Sequence, residues 1–240
     1  YRAVVTCTNS FLTDTTNVVT VSIAPLFPAG TYTINPALPA SSTNFQSIAA
    51  AVSAIDCGIA GNIIFNLAPG TTFNEQVTLP ATIGTTASQT VTFNGNGDTV
   101  KFAGTSTQPW TIGLDGADYI TFNDLIVVNT STTNAISGHL WNDADHNTFN
   151  NCTFLVDITA TSSLVVPFSI SGSATSATTA GNSGQYNVLD SCTIVGGYYN
   201  TVLYGNTVGN SSGNKVMNST MSDFYFYGAF IYYQDSLELT

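Results

Sequence analysis

The stretch 119–127, YITFNDLIV, returns three times, as HNTFNNCTF from His146, YNVLDSCTI from Tyr186 and NKVMNSTMS from Asn214. Superposed, the four copies put Phe122, Phe149, Leu189 and Met217 in one column and Asn123, Asn150, Asp190 and Asn218 in the next. Leu125, Cys152, Cys192 and Thr220 follow two places on. The starts lie 27, 40 and 28 residues apart. A unit this short, polar and β-branched cannot bury its own apolar side, so it must stack on copies of itself. The pattern predicts a coil of parallel strands, with the apolar columns turned inward and the Asn/Asp column at a bend.

Stacked amides can bond one another and the neighbouring backbone, so the Asn/Asp column reads as a structural ladder rather than a groove. Cys152 and Cys192 share a column in adjacent copies, where strands lie about 4.8 Å apart. They are either a disulfide or two thiols packed as small apolar groups. Further on, GGYYNTVLYG from Gly196 overlies YFYGAFIYY from Tyr225, placing Tyr199 on Tyr227, Val202 on Phe230, Leu203 on Ile231 and Tyr204 on Tyr232. Where their rings face outward uncovered, Tyr199, Tyr204, Tyr227 and Tyr232 would form a platform for a sugar or a partner protein. Otherwise they only pack on each other across strands.

Working outward, residues 1–24 alternate, turn through TNSFLTDTTN and alternate again, as one hairpin does. A lone hairpin is marginal in water, so its partner strands are expected upstream. Residues 25–42 carry Pro25 and Pro28 and read as a stiff linker and lead-in. Residues 43–58 form the one predicted helix, capped by Thr43 or Asn44, with Phe45, Ile48, Val52 and Ile55 on one face and Gly58 at its end. Such a helix is placed to plug the open end of a coil. Residues 59–240 are the coil itself, with a longer turn between Leu155 and Tyr186 whose tail is SGSATSATTAGNSGQ. The final DSLELT opens another repeat, so both ends are expected to be cut from a longer polypeptide.

Composition narrows the function. The hydrophobic share of 43% is ample for a core, while only 7% of residues are charged, so the surface must be built from Ser, Thr, Asn and Gly. Three basic residues against 14 acidic ones give a net charge of −11, which repels nucleic acid and anionic membranes. No apolar run is long enough for membrane insertion. The four cysteines show no zinc spacing.

The TNFQSIAAAV helix, the FNGNG turn, GADYITFNDLIV, HLWNDADHNTFNNCTF and SGSATSATTAGNSG together resemble right-handed parallel β-helix segments of very large bacterial proteins exported by the type IX secretion route. The likeness covers residues 30–240. The first 23 residues resemble the last two strands of an immunoglobulin-like module, with Cys7 in the place of a sheet-bridging cysteine. The resemblance implies an all-β, extracellular, cell-surface protein of adhesin or appendage type. It also implies that Asp98-Thr99-Val100 and Asp235-Ser236-Leu237 match an O-glycan acceptor pattern.

Some β-helices cleave acidic polysaccharides. A lyase of that class needs a basic residue beside a carboxylate, with calcium held by clustered aspartates. Past the linker only Lys101 and Lys215 are basic, and the Gly-His-Gly and Arg-x-Lys motifs of a β-helical hydrolase are missing from the sequence. What remains is the group Asp115, Asp118, Asp143, Asp145, His139 and His146. Asp118 falls over Asp145, and stacked like charges raise a pKa or recruit a cation. Calcium is therefore the one candidate cofactor, against a plain turn whose acids bond the backbone. His139 falls in the column of Ile112 and Trp141 in that of Leu114. A slip of one residue reverses which faces the core, so neither is assigned as a ligand. The expectation is a structural and adhesive segment. The alternatives are a polysaccharide lyase or glycoside hydrolase, and a non-catalytic carbohydrate-binding module. The expected partners are a glycan or cell-surface protein and neighbouring modules of the same polypeptide, with homo-oligomerisation open.

Overall fold

The computed structural model describes residues 25–240 and, before them, two short strands, Val4–Thr6 and Thr13–Thr15. Those two pair antiparallel. Cys7 and the remainder of the expected immunoglobulin-like hairpin lie outside the described residues.

From residue 30 onward the chain winds through three parallel sheets. A nine-stranded ladder sheet contains Asn44–Phe45, Gly30–Ile34, Ile63–Leu67, Val91–Asn94, Ile120–Asn123, Thr148–Asn150, Val188–Asp190, Lys215–Met217 and Glu238–Leu239, in that order. A narrow sheet runs Thr72–Phe73, Thr99–Phe102, Ile126–Asn129, Thr153–Leu155, Thr193–Val195 and Thr220–Ser222. A broad sheet runs Val77–Pro80, Trp110–Asp115, Ala135–Trp141, Val165–Ile170, Tyr199–Tyr204 and Tyr227–Tyr232. From Ile63 to Tyr232 each turn of chain contributes one strand to each sheet, which is a parallel β-helix.

The core is a column of rings. Phe65, Phe93, Phe122 and Phe149 are fully buried and stand in register, with centroids 5.0, 5.1 and 5.3 Å apart. Burying one such side chain contributes about 1.5–3 kcal/mol. Leu189, Val216 and Leu239 continue the column. On its outer side the amide ladder is formed: Asn94, Asn123 and Asn150 each donate from Nδ2 to Oδ1 of the Asn one coil earlier, at 2.8–2.9 Å, beginning at Asn66.

The last repeat is shifted by one residue from the sequence alignment. Val216, not Met217, lies on Leu189, and Thr220 lies on Thr193 rather than in the cysteine column. A second amide ladder accounts for the shift. Asn147, Asn187 and Asn214 are buried, and the backbone N–H and Nδ2 of Asn187 both donate to Asn214 Oδ1, as those of Asn147 do to Asn187 Oδ1. Leaving any of these amides unpaired inside the core would cost about 1–3 kcal/mol, so they outrank the aromatic residue before them in setting register. That preceding position is left-handed at Tyr119, His146, Tyr186 and Gly213, with φ of 55–67°. Gly213 is required there, because a Cβ on it would meet the Tyr186 ring at 2.4 Å.

The helix is shorter than the sequence suggests, Ile48–Ala54, and Ser47 is its cap, accepting from the Ala50 N–H at 3.1 Å. Asn44 and Phe45 instead form a strand on Thr33 and Ile34, because the Asn44 amide is spent on the Asn35 and Pro39 carbonyls of the preceding turn. The Glu75 carboxylate accepts from the first helical amides, Ile48 at 2.9 Å and Ala49 at 3.0 Å. Ile48, Ala51, Val52 and Ile55 join the main core, and the helix packs against Val77–Pro80, the first strand of the broad sheet. The expected linker is likewise strapped down from Phe27, which bridges Ile59 and packs on the core, while Gly30–Ile34 already belongs to the ladder sheet.

Candidate functional site

Asp118 and Asp145 sit at the corner between the broad and ladder sheets, one coil apart, each just before the left-handed aromatic position. Asp118 Oδ1 accepts from the Asp145 backbone N–H at 2.7 Å, and Asp145 Oδ1 accepts from that of Gln185 at 2.7 Å. Each carboxylate thus ties its coil to the next. Partial burial raises both above the ordinary carboxylate range, with these hydrogen bonds opposing. Among the described residues no three His, Cys, Asp or Glu side chains gather as a metal cage. Tyr119, His146 and Tyr186 stack beside them at 4.8 and 4.9 Å, nearly parallel. The arrangement can hold a proton at one carboxyl; as an acid–base pair it has backbone partners already in place.

The second cluster is aromatic. Tyr199 lies on Tyr227, Val202 on Phe230, Leu203 on Ile231 and Tyr204 on Tyr232, as the repeat offset predicts. Leu203 belongs to the interior, so its neighbours Val202 and Tyr204 face out, and Tyr199 and Phe230 pack in the same outer cluster. Tyr204 and Tyr232 rings are 5.2 Å apart and 16° from parallel; Phe230 joins Tyr199 at 4.4 Å and Tyr232 at 5.0 Å. Phe226, which the sequence reading missed, packs on Tyr227 at 4.3 Å and on Tyr198 at 5.4 Å. Tyr227 and Tyr232 remain 47% and 46% exposed, and Phe226 51%, which is uncommon for rings so large. The signal available for Phe226 was its place one residue ahead of the outward Tyr227.

Cys152 and Cys192 are both free thiols, buried one above the other. Cys152 bonds the Phe122 carbonyl and Cys192 that of Phe149, each on the preceding coil. Burial pushes them up to about 12 and about 11, so neither is a ready nucleophile.

His139 is paired with Gly113 and Ser169, one residue away from the column the sequence alignment gave it. Both His139 and Trp141 face outward, yet both are buried: residues 172–181 fold back over His139 and Ile136, while Ala135 at the start of the strand is covered by Val156 and Ala160. Burial lowers the imidazole to about 4. No family model, no curated protein and no solved structure matches the chain.

Proposed function

We propose that this chain is a structural and adhesive segment of a large secreted bacterial surface protein, a stiff parallel β-helical scaffold that displays its aromatic face to a neutral glycan. The observation that carries the reading is that face. Large rings of the last coil stay exposed and stack on the half-buried Tyr199 and Tyr204 of the coil before, on a framework whose side-chain ladders tie each turn to the next. Phenol rings offer both an apolar surface to the C–H faces of a pyranose and a hydroxyl to its rim. The charged residues that flank the strip in sequence, Asp223 and Asp235, are both exposed, and Lys215 is already paired with Glu238 at 2.8 Å. That balance disfavours uronic-acid and other anionic sugars. An extracellular, type IX-exported setting beside an immunoglobulin-like module is part of the proposal, supported by the sequence resemblance and by the 7% charged composition.

Native gels cast with galactomannan, xyloglucan or pullulan test it. The protein should be retarded by at least one of them, and Tyr232→Ala should lose most of that retardation while Tyr232→Phe keeps it. Retardation by polygalacturonate or alginate alone, or none at all, contradicts the glycan reading. Asp118 and Asp145, both raised by burial, favour a second reading, a glycosidic acid–base pair. It requires sugar release that disappears in Asp145→Asn.

A further inference from the structure

We infer that residues 172–181 are an acid-released strap: protonation of His139 lifts them from the broad sheet and uncovers an apolar strip continuous with the aromatic face. The inference concerns regulation of that face and rests on its being a binding surface, but the release itself is independent of any glycan.

The strap is held by side chains of the sheet and, at its far end, by Gly181 donating to the Gly205 carbonyl at 3.3 Å. His139 Nε2 lies 2.8 Å from the Ser173 carbonyl and Nδ1 3.3 Å from that of Ser169. A neutral imidazole has a single N–H, so the shorter contact takes the proton and Nδ1 turns its lone pair to the other carbonyl. Ser169 Oγ donates to the Ala177 carbonyl at 3.2 Å, and Ser171 Oγ bonds the Ser173 and Ser176 carbonyls. The base is closed by Gly172 donating to the Thr179 carbonyl at 2.7 Å. Beneath the strap Ala177 packs on Ile136, Val166 and Val202, a cluster that Tyr199, Tyr204 and Phe230 extend toward the exposed rings.

A second proton on His139 would let Nδ1 donate to the Ser169 carbonyl, which stays on the sheet, yet would leave the imidazolium fully buried with no counter-charge. The strands on either side present Gly113 and Ser169, and the strap sequence, GSATSATTAG, has no ionisable side chain. Asp115 stands opposite Trp141 in the next column and already accepts from Asn142 Nδ2 at 3.0 Å. Tyr199 and Tyr204 are the other ionisable groups on this part of the face. Hydrating the cation by lifting ten uncharged residues disturbs far less than opening the coil, whose ladders are untouched.

Trp141 reports the event directly, since its ring lies 5.1 Å from His139 and Trp110, the other tryptophan, lies 4.9 Å beyond. Acrylamide quenching of tryptophan emission is followed from about pH 7 to about pH 4, with far-ultraviolet circular dichroism alongside. Quenching should rise severalfold on acidification while the dichroism stays constant, and His139→Gln should abolish the rise. Deleting residues 173–180, so that Gly172 joins Gly181, should make the tryptophans quenchable throughout. If His139→Gln fails to fold, hydrogen exchange on the unmodified chain decides: corrected for intrinsic rates, acid should strip protection from 172–181 alone. An unchanged quenching profile, the same profile in His139→Gln, or loss of dichroism at the same midpoint overturns the inference.

Discussion

Phe122 lies at the middle of the ring column, between Phe93 and Phe149, and is 1% exposed. Replacing it with alanine leaves a void that rigid strands above and below cannot collapse into. Phe122→Ala should therefore cost about 3–5 kcal/mol, read from the shift of a denaturant-unfolding midpoint. Asp145 makes the opposite kind of prediction. Its folded pKa is raised by burial, so the native state holds the proton more tightly than the unfolded chain does. Stability from this group is greatest in acid and declines as pH rises through the folded pKa. Asp145→Asn keeps an oxygen for the Gln185 amide and loses that decline. Melting temperatures of the two proteins should diverge in favour of the variant between about pH 4 and pH 7. At this scale the sequence was most readable where one residue type recurs, as with Phe122 and Phe149 or Asn123 and Asn150. It misled at Met217, because the eye aligns Tyr186 with the next polar residue, Asn214, whereas the buried amide of Asn187 is what Asn214 matches. The dipeptides His146-Asn147, Tyr186-Asn187 and Gly213-Asn214 carried the true register.

The helix and the excursion are the two elements that break the repeat, and both were located from sequence without their edges. The helix lost its first turn to the ladder sheet because the two Nδ2 hydrogens of Asn44 are both spent on carbonyls of a non-helical turn, those of Asn35 and Pro39. Its real cap, Ser47, is reinforced by Glu75 from a distant turn, a partnership no local window shows. Ser47→Ala should cost about 1 kcal/mol of global stability, measurable by thermal or chemical denaturation. The helix buries three residues in the main core and its C-cap Ile55 a fourth, so its loss should be felt by the whole unit rather than as local fraying. For the excursion, composition gave its uncharged surface but not its destination. That it folds inward over His139 follows from two facts: Ala177 is small enough to pack on the sheet, and the serines at 169 and 171 bond its carbonyls.

For the molecule as a whole, the parallel coil was legible because the apolar period forces stacking, whatever the length of the connecting turns. The candidate sites were less so. Stacked aspartates were predicted correctly as neighbours, yet what each carboxylate bonds, a backbone amide of the next coil, depends on the corner geometry rather than on spacing. The central claim is that every turn of chain adds one rung, even when 27 residues make one turn and 40 the next. Nitroxide labels test it, with one fixed at Thr31 and the other moved along its register column through Thr121, Thr148 and Val188, all on the outer side of the ladder sheet. Backbone separations should be about 14, 19 and 24 Å, growing by about 4.8 Å per coil. A jump between Thr148 and Val188 larger than that between Thr121 and Thr148, in proportion to the longer intervening chain, would contradict it.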